Sequence, residues 1–269
     1  MKIAAVQMNS GEDKEANLRT AETLIDAAAK DGARVVALPE TFNYMGPTDG
    51  VIASAESLDG PTITRLAGKA RGHGIYLLCG SIQERSEQPP KSYNTSVLLD
   101  PKGEIIAAYR KLHLFDVEIS GMKPVRESAV NLPGTDVVTA DIDGVTVGLS
   151  ICYDVRFPEL YRSLMERGAT LVFVPAAFKM LTGKDHWKTL LQARAIENQF
   201  YVAAPGQIGR SRPDVLTYGR SLIADPWGLV LAEAPDKETF ITADLDFNLL
   251  ERVRRELPAL THRRPEVYT

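Results

Sequence analysis

Cysteine and histidine are scarce in this chain, with two of the first and four of the second among 269 residues. Two cysteines cannot build a disulfide framework, and no secretory context is visible, so Cys79 and Cys152 are expected to be reduced thiols. His73, His113, His186 and His262 show no H-x-x-x-H or paired-cysteine spacing. A metal hydrolase is therefore disfavoured, and neither metal nor cofactor is expected. No apolar run approaches the roughly 20 residues that span a bilayer. Residues 1–8 have strand length but no small-residue cleavage site after them. A cytoplasmic protein without a membrane partner is the expectation. A concentrated basic face is missing too: the formal charge is -4 and the pI near 5.7, which argues against nucleic acid as a partner. Arg252, Arg254, Arg255, Arg263 and Arg264 are interrupted by Glu251, Glu256 and Glu266, as on a solvated or subunit-pairing surface. Linkers and repeats are absent as well, so residues 1–269 are read as one domain.

What is present is a chain with 44% hydrophobic residues, enough to bury a substantial core. Residues 2–8 read as a buried strand, and 13–30 as a helix with Leu18, Ala21, Leu24, Ile25 and Ala28 three or four apart. Gly32 ends that helix, and 34–38 form a short strand running into Pro39 and Glu40. A helix over 62–71, stopped by Gly72 and Gly74, leads to a strand at 75–79. Hairpins follow at 92–99 with 104–109, 137–141 with 145–149, and 222–225 with 229–232. Helices at 157–167 and 187–197 alternate with strands at 170–174 and 201–204, while 86–91 and 179–184 read as surface loops. Alternating helices and strands interrupted by hairpins predict an α/β fold of two mixed sheets face to face, with helices on the outer faces.

Three chemically capable residues directly follow apolar strands: Glu40 after 35–38, Lys111 after 105–109 and Cys152 after 145–151. Strand ends in α/β sheets are where reactive groups converge on a crevice. Taken singly, each has a plain explanation, as the first solvated residue or as a small core thiol. Cys79, in Leu77-Leu78-Cys79-Gly80, has no charged neighbour and reads as core. After Cys152 the chain turns at once toward a helix, with Pro158 suited to its first turn. A thiol in such an elbow leaves the N–H of Tyr153 free to serve as an oxyanion donor.

Ala37-Leu38-Pro39-Glu40, Tyr109-Arg110-Lys111-Leu112-His113 and Ser150-Ile151-Cys152-Tyr153-Asp154 together resemble the nitrilase or carbon–nitrogen hydrolase superfamily. The likeness continues through His186-Trp187, residues 193–199, Asp225-Pro226-Trp227-Gly228 and His262-Arg263-Arg264-Pro265-Glu266. It is similar above all to the Nit branch of amidases, through residues 111–116 and 156–160. The resemblance implies a four-layer αββα sandwich that forms a homodimer, with residues 187–199 and the C-terminal tail as contacts. It implies Glu40 as general base, Lys111 as the cation beside the oxyanion, Cys152 as nucleophile and Glu127 as a second carboxylate. Glu118 is the alternative for that last role. The ammonium of Lys111 would favour the anionic forms of both thiol and carboxylate. The reaction implied is hydrolysis of a small amide through a Cys thioester, ammonia leaving and water completing the cycle.

A Cys–His hydrolase with His113 as base is the rival mechanism, since His113 follows Lys111 by two positions. A catalytically silent binding module is the rival of another class. Nit-type resemblance implies an acid bearing a terminal amide: deaminated glutathione first, through the likeness of Arg220-Ser221-Leu222 and the His262-Arg263-Arg264-Pro265 tail, with 2-oxoglutaramate and 2-oxosuccinamate as the alternative and nitriles ranked lower. A substrate carboxylate needs a cation, and Lys179, Arg156, Arg210 and Arg212 are the candidates, Lys179 first. Arg156 has a second reading, pairing with Asp154 or Glu159 to hold the elbow. Tyr44 and Phe178 are candidate walls of the site.

Overall fold

A computed structural model describes residues 1–121 and 123–268. Its strands begin with β1 (Lys2–Met8), β2 (Val35–Ala37), β3 (Tyr76–Leu78), β4 (Ile82–Arg85), β5 (Ser92–Leu99) and β6 (Ile105–Arg110). The short pair β7 (Asp116–Val117) and β8 (Val125–Arg126) follows, then β9 (Thr139–Ile142), β10 (Val145–Leu149), β11 (Leu171–Phe173) and β12 (Tyr201–Ala204). The last are β13 (Gly206–Arg212), β14 (Val215–Tyr218), β15 (Leu222–Ala224), β16 (Val230–Glu233) and β17 (Thr239–Asp244). Helices are α1 (Lys14–Lys30), α2 (Thr48–Ala53), α3 (Pro61–His73), α4 (Pro158–Glu166), α5 (Met180–Asn198), α6 (Phe247–Glu256) and α7 (Pro265–Tyr268).

Two mixed sheets carry the fold. In the larger, the order is β14-β13-β1-β2-β3-β5-β4, with β17 antiparallel to β1 and β6 antiparallel to β5. The smaller runs β16-β15-β12-β11-β10-β9. Successive side chains on a strand point to opposite faces, and the first sheet divides its apolar residues accordingly. Ile3, Ala5, Val35, Ala37, Leu78 and Leu98 pack with Val147, Leu149, Leu171 and Phe173 of the second sheet. Their neighbours Ala4, Val6, Met8, Val36, Leu38, Leu77 and Val97 pack instead with Leu18, Ala21 and Ile25 of α1 and Ile63 and Leu66 of α3. Helices α4 and α5 contact each other beside the second sheet, α5 resting on β12 and β15. The four-layer sandwich expected from the sequence is therefore the observed architecture. Among the described residues no helix is long and apolar enough to cross a membrane.

The predicted hairpins and helices α1, α3 and α4 are present within a residue or two of their expected bounds, while α5 begins seven residues before its expected start at 187. One expectation is corrected: residues 179–184 are not a surface loop. Lys179 is the extended N-cap residue of α5, and residues 180–184 are its first turns. Gly183, which reads as a breaker in sequence, is needed there because a Cβ would collide with the ring of Tyr218. Strands β4, β13, β14 and β17 and helix α6 are further elements that the sequence reading left unassigned.

Candidate active site

Glu40, Lys111 and Cys152 come from three chain segments whose ends meet between the sheets. Glu40 lies just beyond β2, and the following Thr41 sits at φ 51, an uncommon conformation for a branched residue. Its N–H donates to Ser81 Oγ at 2.9 Å, which steadies the bend. Gly80, with φ 41, passes so close to the Pro39 carbonyl that no side chain would fit. Lys111 follows β6, its N–H donating to the carbonyl of Asn94 on β5 at 2.9 Å. Cys152 opens a 3-10 turn, Cys152–Arg156, with φ 50. The elbow expected from sequence is thus present as a strained position for the thiol, and such strain collects at functional sites.

Asp154 fixes this elbow. Its wholly buried carboxylate accepts from Ile151 N–H at 2.8 Å, Tyr109 hydroxyl at 2.7 Å and His113 N–H at 3.1 Å, with the His113 ring at 2.7 Å. The segment after Lys111 is thereby tied to the turn that carries Cys152. The N–H of Tyr153, near the start of the turn, has no hydrogen-bond acceptor among the described residues.

At the centre, Lys111 Nζ is 3.0 Å from Glu40 Oε1 and 2.8 Å from Glu127 Oε2. Lys111 is 2% exposed and Glu40 4%. Glu40 Oε1 also accepts from Asn94 Nδ2 at 2.9 Å, and Oε2 accepts from Ala177 N–H at 2.7 Å. Glu127 Oε2 accepts from Phe115 N–H at 2.7 Å, and its Oε1 from Asn94 and Asn131 amides at 3.2 and 3.3 Å. Charges buried this deeply are tolerated only when paired and hydrogen-bonded.

Burial alone would push the Glu40 carboxyl up, but Lys111 and the donors around it hold it below the usual carboxylate range. Burial likewise works against the Lys111 ammonium, and the charges of Glu127 and Glu40 hold it well above its ordinary value. For Cys152, burial first and then the negative charge of Glu40 push the thiol well up, outweighing Lys111. The resting trio is therefore carboxylate, ammonium and neutral thiol. Lys111 does favour the anionic sulfur, as expected from the sequence, but burial and the negative charge of Glu40 outweigh it.

These groups open onto a cavity of about 730 Å³. Its lining includes Glu40, Asn94, Lys111, Glu127, Cys152, Tyr153, Tyr44, Phe178 and Lys179, and toward the mouth Lys123, Arg126, Lys184 and Arg212. Asp214, 3.9 Å from Arg212, is an opposing carboxylate there. Among the described residues no group of three or more His, Cys, Asp or Glu side chains could hold a metal ion.

The profile of the carbon–nitrogen hydrolase family matches residues 2–255. The chain belongs to that family. This hydrolase is 43% identical over 264 residues to deaminated glutathione amidase of Synechocystis sp. (strain PCC 6803 / GT-S), with 97% of each chain covered. It is 38% identical over 268 residues to the omega-amidase NIT2 of Mus musculus, covering 100% of this chain and 96% of that one. Its fold superposes on the C. elegans NitFhit protein with a TM-score of 0.94 at 38% identity, all of this chain matching 66% of that one. The protein is an enzyme of the amidase kind in the nitrilase superfamily.

Set against the sequence expectations, the hydrolase brings Glu40, Lys111, Glu127 and Cys152 into one cluster, with Tyr44, Phe178 and Lys179 on the cavity wall. Arg156 is not among the lining residues. Its guanidinium lies over the rings of Phe178 and Tyr153, 5.1 and 5.8 Å from their centroids, and beside His186 at 3.2 Å. It pairs with neither Asp154 nor Glu159 as its second reading required, because Asp154 is already saturated by other donors. Arg210 also stays off the wall, donating to the Pro213 carbonyl. Glu118 is exposed and 3.4 Å from Arg126. His113 turns away from the cavity, stacked on Phe157 at 3.7 Å; β6 has ended at Arg110, so the two-residue rule of a strand does not apply to Lys111 and His113. Asn94 and Asn131 were missed. The available signal was a strand whose first half, Ser92, Asn94, Thr95 and Ser96, is polar yet buried.

Proposed function

We propose that this hydrolase cleaves the amide of a carboxylate-bearing substrate through a thioester on Cys152, and that deaminated glutathione is its preferred substrate. The observation that carries the reading is a single buried ammonium between two carboxylates, beside a thiol on a strained turn. Glu40, held as the anion, takes the Sγ proton as sulfur attacks the amide carbon. Lys111 and the free N–H of Tyr153 hold the oxygen that becomes negative, one such donor being worth about 3 kcal/mol in other hydrolases. Glu40 then gives its proton to the leaving nitrogen, which departs as ammonia from a primary amide or as a larger amine from a substituted one. A water, deprotonated by Glu40 and oriented with the help of Glu127, attacks the thioester carbon; the C–S bond breaks, Glu40 returns the proton to Sγ, and the acid leaves. The charges return to their starting values.

The substrate choice rests on the wall. Lys179, Lys123, Arg126, Lys184 and Arg212 favour an acid, and Lys179 is the innermost candidate, its ammonium lowered by burial and facing the charge of Glu40. A space of about 730 Å³ is in the range of sites for drug-sized ligands and exceeds what a five-carbon oxo acid amide fills. Omega-amidase activity on 2-oxoglutaramate is the second reading, supported by the 38% identity to that amidase. Steady-state hydrolysis of both compounds decides: kcat/KM at least about tenfold higher for deaminated glutathione is expected, some 1.4 kcal/mol in transition-state binding. The reverse order would overturn the choice.

A further inference from the structure

We infer that Asn94 is a positioning residue for this chemistry: its side-chain amide holds Glu40 and Glu127 on either side of Lys111, while its main-chain carbonyl holds the lysine segment. The inference rests on Glu40 being the base. Asn94 is 2% exposed, in the first half of β5. One nitrogen, Nδ2, donates to Oε1 of Glu40 at 2.9 Å and to Oε1 of Glu127 at 3.2 Å. Its carbonyl accepts from Lys111 N–H at 2.9 Å. Among the described residues, Asn94 and Lys111 are the side chains that hydrogen-bond to both carboxylates. The orientation of the amide is fixed, since turning it over would set its oxygen against two carboxylates.

That orientation has a cost. Asn94 Oδ1 is buried and has no hydrogen-bond partner among the described residues, and a buried acceptor left unmade destabilises a fold. Packing stability alone does not explain an asparagine here; the two bonds to carboxylates do. Around Glu40 stand Lys111 from the end of β6, Glu127 from the 3-10 turn after β8, Cys152 on the elbow and Lys179 at the start of α5. One ammonium in contact is shared by two carboxylates, and carboxylates that share a site raise each other's proton affinity. A neutral residue with donor hydrogens aimed at both offsets that tendency without adding charge. Aspartate, of the same shape, would add a third carboxyl group to one ammonium. Removing the amide takes a donor from Glu40 and frees the two side chains to shift, so Glu40 takes up its proton at higher pH.

The test compares Asn94→Ala, Asn94→Ser and Asn94→Asp with the unaltered enzyme, each checked for folding by circular dichroism and thermal melting. Alkylation of Cys152 by iodoacetamide is followed by intact mass against pH, a readout that needs no substrate. In the unaltered enzyme the rate falls on the acid side as Glu40 protonates, and Glu40→Gln removes that limb; if it does not, the base assignment fails, whatever Asn94 does. With the assignment intact, the limb should move up by about one pH unit in Asn94→Ala, less in Asn94→Ser and furthest in Asn94→Asp. Amide hydrolysis should show kcat lowered about 10- to 100-fold with KM changed by less than about threefold. Folded variants with an unmoved limb would overturn the inference, and so would unfolding of all three, which would make the role structural.

Discussion

Cys79 and Cys152 are the same residue in similar settings, each buried just beyond a strand of a central sheet, yet only one stands in a place where chemistry can occur. Cys79 packs among Ala4, Leu38, Val97 and other apolar side chains, and its thiol is pushed up by burial alone. Among the described residues its sulfur has a single hydrogen-bond partner, the Leu77 carbonyl at 3.8 Å. Cys152 is also pushed up by burial, but it lines a cavity, sits at φ 50 and has Glu40 and Lys111 as electrostatic neighbours. Burial at a strand end is therefore common to both. The difference is the meeting of three other segments at one of the two positions, which sets a carboxylate beside a thiol that does not release its proton by itself.

The comparison breaks most easily at the sulfur atoms. Cys152→Ala should lower amide hydrolysis about 10⁴-fold or more, as loss of a nucleophile does elsewhere. Cys79→Ala should leave kcat/KM within about twofold and cost about 1 kcal/mol of stability by opening a small void. Equal losses of activity in steady-state assays would remove the distinction. A smaller but still large effect is expected at the lysine. Lys111→Met leaves two buried carboxylates without their cation, so acylation should disappear and stability fall by about 3–5 kcal/mol. His113→Ala, which cuts a tie to Asp154 outside the cavity, should retain acylation; its loss in a rapid-quench measurement, with Lys111→Met still acylating, would reinstate the histidine mechanism. The smallest expected effect sharpens the substrate side. Lys179→Met should raise KM about tenfold for a carboxylate-bearing amide at nearly constant kcat, and leave a neutral amide of similar size unaffected. A parallel change for both amides would take the lysine out of carboxylate binding.

Much of this was legible in the chain. The period-3.6 spacing of Leu18, Ala21, Ile25 and Ala28 marked α1, and hairpin chemistry at Asp100-Pro101-Lys102-Gly103 marked β5 and β6. Short strands ending in Glu40, Lys111 and Cys152 marked the site. Other elements carried weaker signals. Strand β4 has Gln83 and Glu84 buried, so no apolar alternation announces it, and β13 runs Gly-Gln-Ile-Gly-Arg-Ser-Arg. Such strands exist because a neighbouring edge satisfies their backbone, a condition invisible in a local window. The start of α5 read as a loop for the same kind of reason: Gly183 is a breaker in isolation and a necessity against Tyr218.

By itself the sequence determined the layer pattern, the identity of the reactive groups and their order along the chain, because these depend on local periodicity and on side-chain chemistry. Only the tertiary structure decided their charge states and their company. Whether Cys152 rests as thiol or thiolate depends on distances to Glu40 and Lys111 in a site removed from water, where electrostatics are strong and burial opposes every charge. Asn94 became visible only when β5 laid it between two carboxylates from segments 54 and 33 residues away. Arg156, plausible as a substrate cation by its position in the chain, was turned by the elbow onto aromatic rings instead.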